Sequence, residues 1–107
     1  MTRKVYDKLV RDRIPEIIRE SGSTCATGSF GPDEFRRALR EKLVQEAREA
    51  ADAADGDLLT ELADIAEVLD ALLAAHGLTH EDVRTMQNRR RAERGGFTQR
   101  VRLLWTE

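Results

Sequence analysis

The stretch "KLVQEAREAADAADGDLLTELADIAEVLDALL", Lys42 to Leu73, decides the fold. It reads as two helices around a turn at "ADGD", and it carries acids where a helix pair should want apolar side chains. On a wheel advancing about 100° per residue, Phe35, Leu39, Leu43, Ala47, Ala50, Ala53 and Ala54 form one apolar arc of the first helix. Glu46 falls well inside that arc and Glu49 on its edge, while Glu41, Arg48 and Asp52 point the other way. On the second helix Leu58, Leu62, Ile65, Val68, Leu69 and Leu72 form the arc. Glu61 lies within it, Asp64 borders it, and Glu67 and Asp70 face away. Each helix therefore places two acids at i,i+3 on its inner side.

The turn adds a second coincidence. In an antiparallel hairpin, Glu46 and Asp64 are each nine residues from position 55, and Glu49 and Glu61 are each six. Packed helix axes lie about 8–10 Å apart, so glutamates can span the gap. Four converging carboxylates need compensation, because buried charge is costly and like charges add to the cost. Lys42 is one neighbouring base against four acids. Hard divalent cations take carboxylate oxygens, and Mg²⁺ keeps several waters that leave room for substrate phosphates. The Glu-x-x-His histidines of di-iron bundles are missing, which favours Mg²⁺ or Mn²⁺ over iron. The competing reading of the same residues is a non-catalytic helical interaction module whose acids pair with bases.

Outward from the hairpin, the remaining elements are also helical. Pro15 suits the first turn of a short helix, "PEIIRESG", that Gly22 can end. "SGSTCATGSFG", residues 21 to 31, is a loop rich in small residues, and Pro32-Asp33-Glu34 is a helix start. These signals predict long helices over about 33–54 and 57–76. A third helix begins at "THED", where Thr79 and Asp82 have capping-box spacing, and runs to about Glu93 before Gly95 and Gly96. Phe97, Val101, Leu103 and Trp105 then alternate with polar residues in a strand-like way. The predicted fold is all-α: a helical hairpin, a third helix and a short extended segment near the C-terminus.

The 107 residues make one domain, 1–107, with a modest core of its own, so a homodimer or higher homo-oligomer is expected. The net charge of -2 conceals an uneven distribution. Ten of the twenty acids lie between 41 and 70, while residues 84 to 102 carry seven arginines against one glutamate. The first block wants cations and the second wants anions. The single Cys25 excludes an internal disulfide and a cysteine-based metal site. "MTRKVYDKLVRDR" is too charged for a signal peptide, and nothing approaches a membrane span, so a cytoplasmic protein without a membrane partner is expected. "RTMQNRRRAERGG" lacks aromatic interleaving and a reading motif, which argues against a nucleic-acid arm. There is no GxxxxGK[ST] loop.

The pattern Glu46-x-x-Glu49, twelve residues, then Glu61-x-x-Asp64 resembles the signature of the all-α, MazG-like nucleoside triphosphate pyrophosphohydrolases, a superfamily that includes phosphoribosyl-ATP pyrophosphohydrolase. "YDKLVRDRIPEII" and "ERGGFTQRVRLL" look like its small house-cleaning branch. The resemblance implies that Glu46, Glu49, Glu61 and Asp64 bind Mg²⁺ and carry the catalysis. The reaction would be hydrolysis of a nucleoside triphosphate, non-canonical in this branch, between the α and β phosphates to monophosphate and pyrophosphate. Lys8, Arg11, Lys42 and Arg94 are the candidate phosphate and substrate ligands, with arginine suited to bidentate contacts. The chain departs from the pattern at Gln45, where the family often carries a glutamate.

Overall fold

A computed structural model describes residues 2–107, which leaves position 1 of the expected domain outside the description. Four α-helices follow one another: α1 (Ile14–Glu20), α2 (Pro32–Asp52), α3 (Leu58–Ala75) and α4 (His80–Arg94). A 3₁₀ turn, Asp55–Asp57, joins α2 to α3. Among the described residues there is no strand, so the fold is all-α. No helix among the described residues is long and apolar enough to cross a membrane.

The helix boundaries follow local chemistry. Pro32 sits in the first turn of α2, where its missing N–H costs nothing, and Asp33 and Glu34 lie at the positive end of the helix dipole. The helix stops two residues short of the expected position 54. Ala53 turns extended (φ -70°, ψ 146°), and the Asp57 amide donates to the Ala54 carbonyl at 2.9 Å to form the connecting turn. Gly77 ends α3 at φ +66°, with Leu78 N–H donating to the Leu73 carbonyl and Gly77 N–H to that of Ala74, a Schellman closure. Thr79 and Asp82 make the expected capping box at α4: Thr79 Oγ1 accepts from the Asp82 amide at 3.0 Å, and Asp82 Oδ2 accepts from the Thr79 amide at 2.8 Å.

Packing is concentrated in one place. Helices α2 and α3 form an antiparallel hairpin, and its open end is tied by Arg36 Nε donating to the Ala75 carbonyl at 3.2 Å. Leu39 and Val68 are the buried apolar residues of the described chain, and Glu46 is buried as well. Leu43, Ala50, Ile65 and Leu72 line the same seam half-buried, whereas Ala47 and Ala54 of the expected arc are exposed. The α2 arc is therefore narrower than its alanines suggested. An alanine at the margin of a helix pair leaves too little side chain to fill the gap. Helix α4 projects from the hairpin, giving principal extents of 61 × 34 × 27 Å.

Residues 97–107 form no strand. Arg100 N–H donates to the Phe97 carbonyl in a turn, Arg100 itself sits at φ +55°, and the remainder runs without a ladder partner. Alternation produces a strand only where a neighbouring strand accepts its hydrogen bonds, and none is present among the described residues. Phe97 is 97% exposed and Trp105 70%.

Leu39→Ala is expected to destabilise the chain by about 2–4 kcal/mol, read from urea unfolding, because it empties the centre of the hairpin seam. Thr79→Ala should remove about 1 kcal/mol from α4 alone, visible as faster amide exchange over residues 80–84 with the hairpin unaffected.

Candidate functional site

The hairpin seam delivers carboxylates to one point. Glu46 projects from the buried side of α2, and Glu61 and Asp64 project from the first two turns of α3. One oxygen from each of the three lies within 4.8 Å of the others. Glu46 is only 7% exposed, while Glu61 and Asp64 are half-buried. The pairing of Glu46 with Asp64 across the turn is the one that equal distance from position 55 requires. Glu49, one turn further along α2, is exposed and stands outside this group of three. Its Oε1 accepts a hydrogen bond from Gln45 Nε2 at 3.2 Å. Gln45, also exposed, thus orients Glu49 from the solvent side.

Charge compensation within the chain is partial. Lys42 Nζ lies 3.5 Å from Glu46 Oε1, one helical turn away. The Arg11 guanidinium donates to Asp64 Oδ1 at 2.7 Å. This second pair is open to solvent and correspondingly screened. Among the described residues two buried oxygens, Glu46 Oε2 and Glu61 Oε2, have no hydrogen-bond partner. A buried carboxylate oxygen left unpartnered costs the desolvation of a charged acceptor, so something must satisfy it.

Burial is the main cause that pushes the Glu46 carboxyl above its ordinary range, reinforced by the adjacent Glu49 carboxylate and opposed by Lys42. A divalent cation would remove both penalties. Adjacent ligand oxygens around Mg²⁺ lie about 3.0 Å apart and opposite ones about 4.2 Å, so three oxygens within 4.8 Å of one another would have to rotate inward to share one ion. The donor set, all carboxylate oxygen with no sulfur or imidazole, suits a hard ion of the Mg²⁺ or Mn²⁺ kind.

The four sequence-derived cation candidates separate. Arg11 and Lys42 are at the cage. Lys8 stands over the Tyr6 ring, 5.2 Å from its centroid, and lines a cleft of about 370 Å³ together with Lys42, Gln45, Phe30 and Arg37. That cleft runs along the solvent side of α2 next to the cage. Arg94 is in the last turn of α4, exposed, and forms no ion pair among the described residues. Two features escaped the sequence: the direct Arg11–Asp64 contact and the presence of Phe30 and Arg37 in the cleft. The N-terminal segment and the 21–31 loop have no periodicity, so nothing along the chain indicates which helix face they cover.

An uncharacterized protein of Mycolicibacterium smegmatis is 49% identical to this chain over 53 residues, covering 48% of the chain. The match spans about half of that relative, 54% of its length. No family model and no solved structure matches the chain.

The sign of the Glu46 shift gives a stability prediction. A carboxyl raised in the folded state contributes stability that is present below its unfolded value and lost as pH rises through the folded one. In metal-free buffer, Glu46→Gln should therefore melt above the parent at pH 7. The difference should shrink as pH falls toward 4, as read by scanning calorimetry.

Proposed function

We propose that this chain is a nucleoside triphosphate pyrophosphohydrolase of the all-α MazG-like superfamily, dependent on Mg²⁺ or Mn²⁺. One observation carries the reading: two buried, unpartnered carboxylate oxygens, on Glu46 and Glu61, within a cage of three acids from facing helices. A helix pair has no structural use for such oxygens, whereas a cation does. In this reading Glu46, Glu61 and Asp64 would hold the ion. Mg²⁺, when bound, supplies neutralisation of the phosphate oxygens and acidification of water.

The residues around the cage take complementary roles. Arg11 and Lys42, paired with Asp64 and Glu46 at the rim of the cage, would be the bases nearest a bound triphosphate and could donate to its oxygens. Water attacks the α phosphorus, the bond to the bridging oxygen breaks, and pyrophosphate leaves. Glu49, exposed beside Glu46 and held by Gln45, is placed to accept the proton that the water gives up. The cleft with Lys8 and Phe30 is where the nucleoside would lie, with the Phe30 ring available for stacking. A non-canonical nucleotide, a house-cleaning role and a cytoplasmic place of action belong to this same reading.

The Arg11–Asp64 and Lys42–Glu46 pairs also fit the competing interaction module. A nucleotide panel separates the two. With Mg²⁺ the chain should release pyrophosphate from at least one triphosphate, and Glu46→Gln and Asp64→Asn should each abolish release while remaining folded. Mg²⁺ with nucleotide at about 100 times Kd should add about 2.7 kcal/mol of stability. No pyrophosphate from any nucleotide, together with an unmoved melting temperature, would leave the interaction module standing.

A further inference from the structure

We propose that the cleft beside the cage selects a guanine-type ring, a purine with a 2-amino and a 6-oxo group, through Glu41 and Arg37. This rests on the nucleotide reading of the cage, which puts the α phosphate at Glu46. The cleft holds about 370 Å³ between the N-terminal segment and the outer face of α2, within the range of small-ligand sites. Lys42 belongs to both places: it lines the cleft and stands 3.5 Å from Glu46 Oε1. From there the cleft runs along α2 toward Phe30, whose ring, 39% exposed, offers a stacking face. At 1.5 Å per residue, Glu41 lies about 7.5 Å along the helix axis from Glu46, the reach of a single sugar, and Arg37 lies about 6 Å further.

The fold itself makes no use of these two charges. Arg37 and Glu41 stand at i,i+4, the spacing at which opposite charges pair on a helix. Yet among the described residues neither forms an ion pair, with the other or with anything else. A carboxylate only accepts, so Glu41 favours a ring edge with two adjacent donors. Guanine presents N1–H beside its 2-amino group. Adenine and cytosine place a ring-nitrogen acceptor beside their amino group, and uracil sets one N–H between two carbonyls. The Arg37 fork complements the other edge of guanine, where O6 and N7 both accept, whereas adenine has an amino donor there. The single helical turn between Glu41 and Arg37 matches the width of a purine between those edges, and a lone pyrimidine ring is too small to meet both. Alteration of the sugar leaves both edges in place, so a non-canonical nucleotide stays within this class.

Equilibrium binding to the full chain tests this without turnover. The probes are the α,β-imido triphosphates of guanosine, adenosine, cytidine and uridine, in ribose and deoxyribose form, titrated calorimetrically with Mg²⁺. The guanine analogue should bind about tenfold tighter than the adenine one, with both pyrimidines weaker still. Glu41→Gln and Arg37→Lys should each bring guanine to within about twofold of adenine. Phe30→Ala should weaken every base about tenfold and leave their order unchanged. All three side chains are exposed, so these variants should keep the parental melting temperature. Equal binding of the four bases, preference for another base, binding of none, or a guanine preference that survives both Glu41→Gln and Arg37→Lys would each overturn the proposal. Pyrophosphate release by the parent is scored separately. Release without base selection leaves the hydrolase reading intact and removes this one. A Glu41-dependent guanine preference without release from any triphosphate supports the base site and removes the hydrolase reading.

Discussion

A carboxylate between two helices sets the terms for this structure. Glu46 occupies a position in the α2–α3 seam that an aliphatic residue would fill at no electrostatic cost, and it is buried as Leu39 and Val68 are. Its burial raises the free energy of its own ionised form. Glu61 and Asp64 then concentrate more negative potential on the same point. The fold has to hold these groups together against their repulsion, and it does so with a hairpin stitched at both ends: the 3₁₀ turn at Asp55–Asp57 and the Arg36–Ala75 tie.

The compensation visible within the chain is graded. Lys42 is partly buried and close to Glu46, so its charge is felt in a poorly screened environment. Arg11 reaches Asp64 from a segment that precedes α1, in a contact open to water. Neither reaches Glu46 Oε2 or Glu61 Oε2. A site with bases at its rim and unpartnered oxygens at its floor is suited to a small, highly charged ion with an anionic ligand above it. The proposed hydrolase reading uses both features, whereas a salt-bridged interaction surface uses only the rim.

The apolar bookkeeping points in a consistent direction. Helix α4 and residues 97–107 leave large side chains such as Met86, Phe97 and Trp105 in solvent, and the hairpin leaves Leu62 and Leu69 partly bare. A single copy of 107 residues has too little core to cover them. The arginines of the arm and the acids of the hairpin are opposite in sign and separated along the chain, an arrangement that favours contact between copies as much as within one.

The helices and the inward placement of Glu46 were legible in the linear order of residues, because both depend on short-range rules. Proline and acids start α2, Thr79 and Asp82 cap α4, Gly77 closes α3, and the 3.6-residue period places Glu46 among Leu39 and Leu43. Equal distance from the turn was enough to match Glu46 with Asp64. Tertiary structure alone decided that Glu49 stands outside the cage, that Ala47 and Ala54 stay in solvent, and that Arg11 meets Asp64 across 53 positions. It also decided that the alternating residues after Gly96 make no strand. The reason is the same in each case: periodicity says which face a residue occupies, but how far the neighbouring element extends over that face depends on long-range packing, which no local pattern encodes.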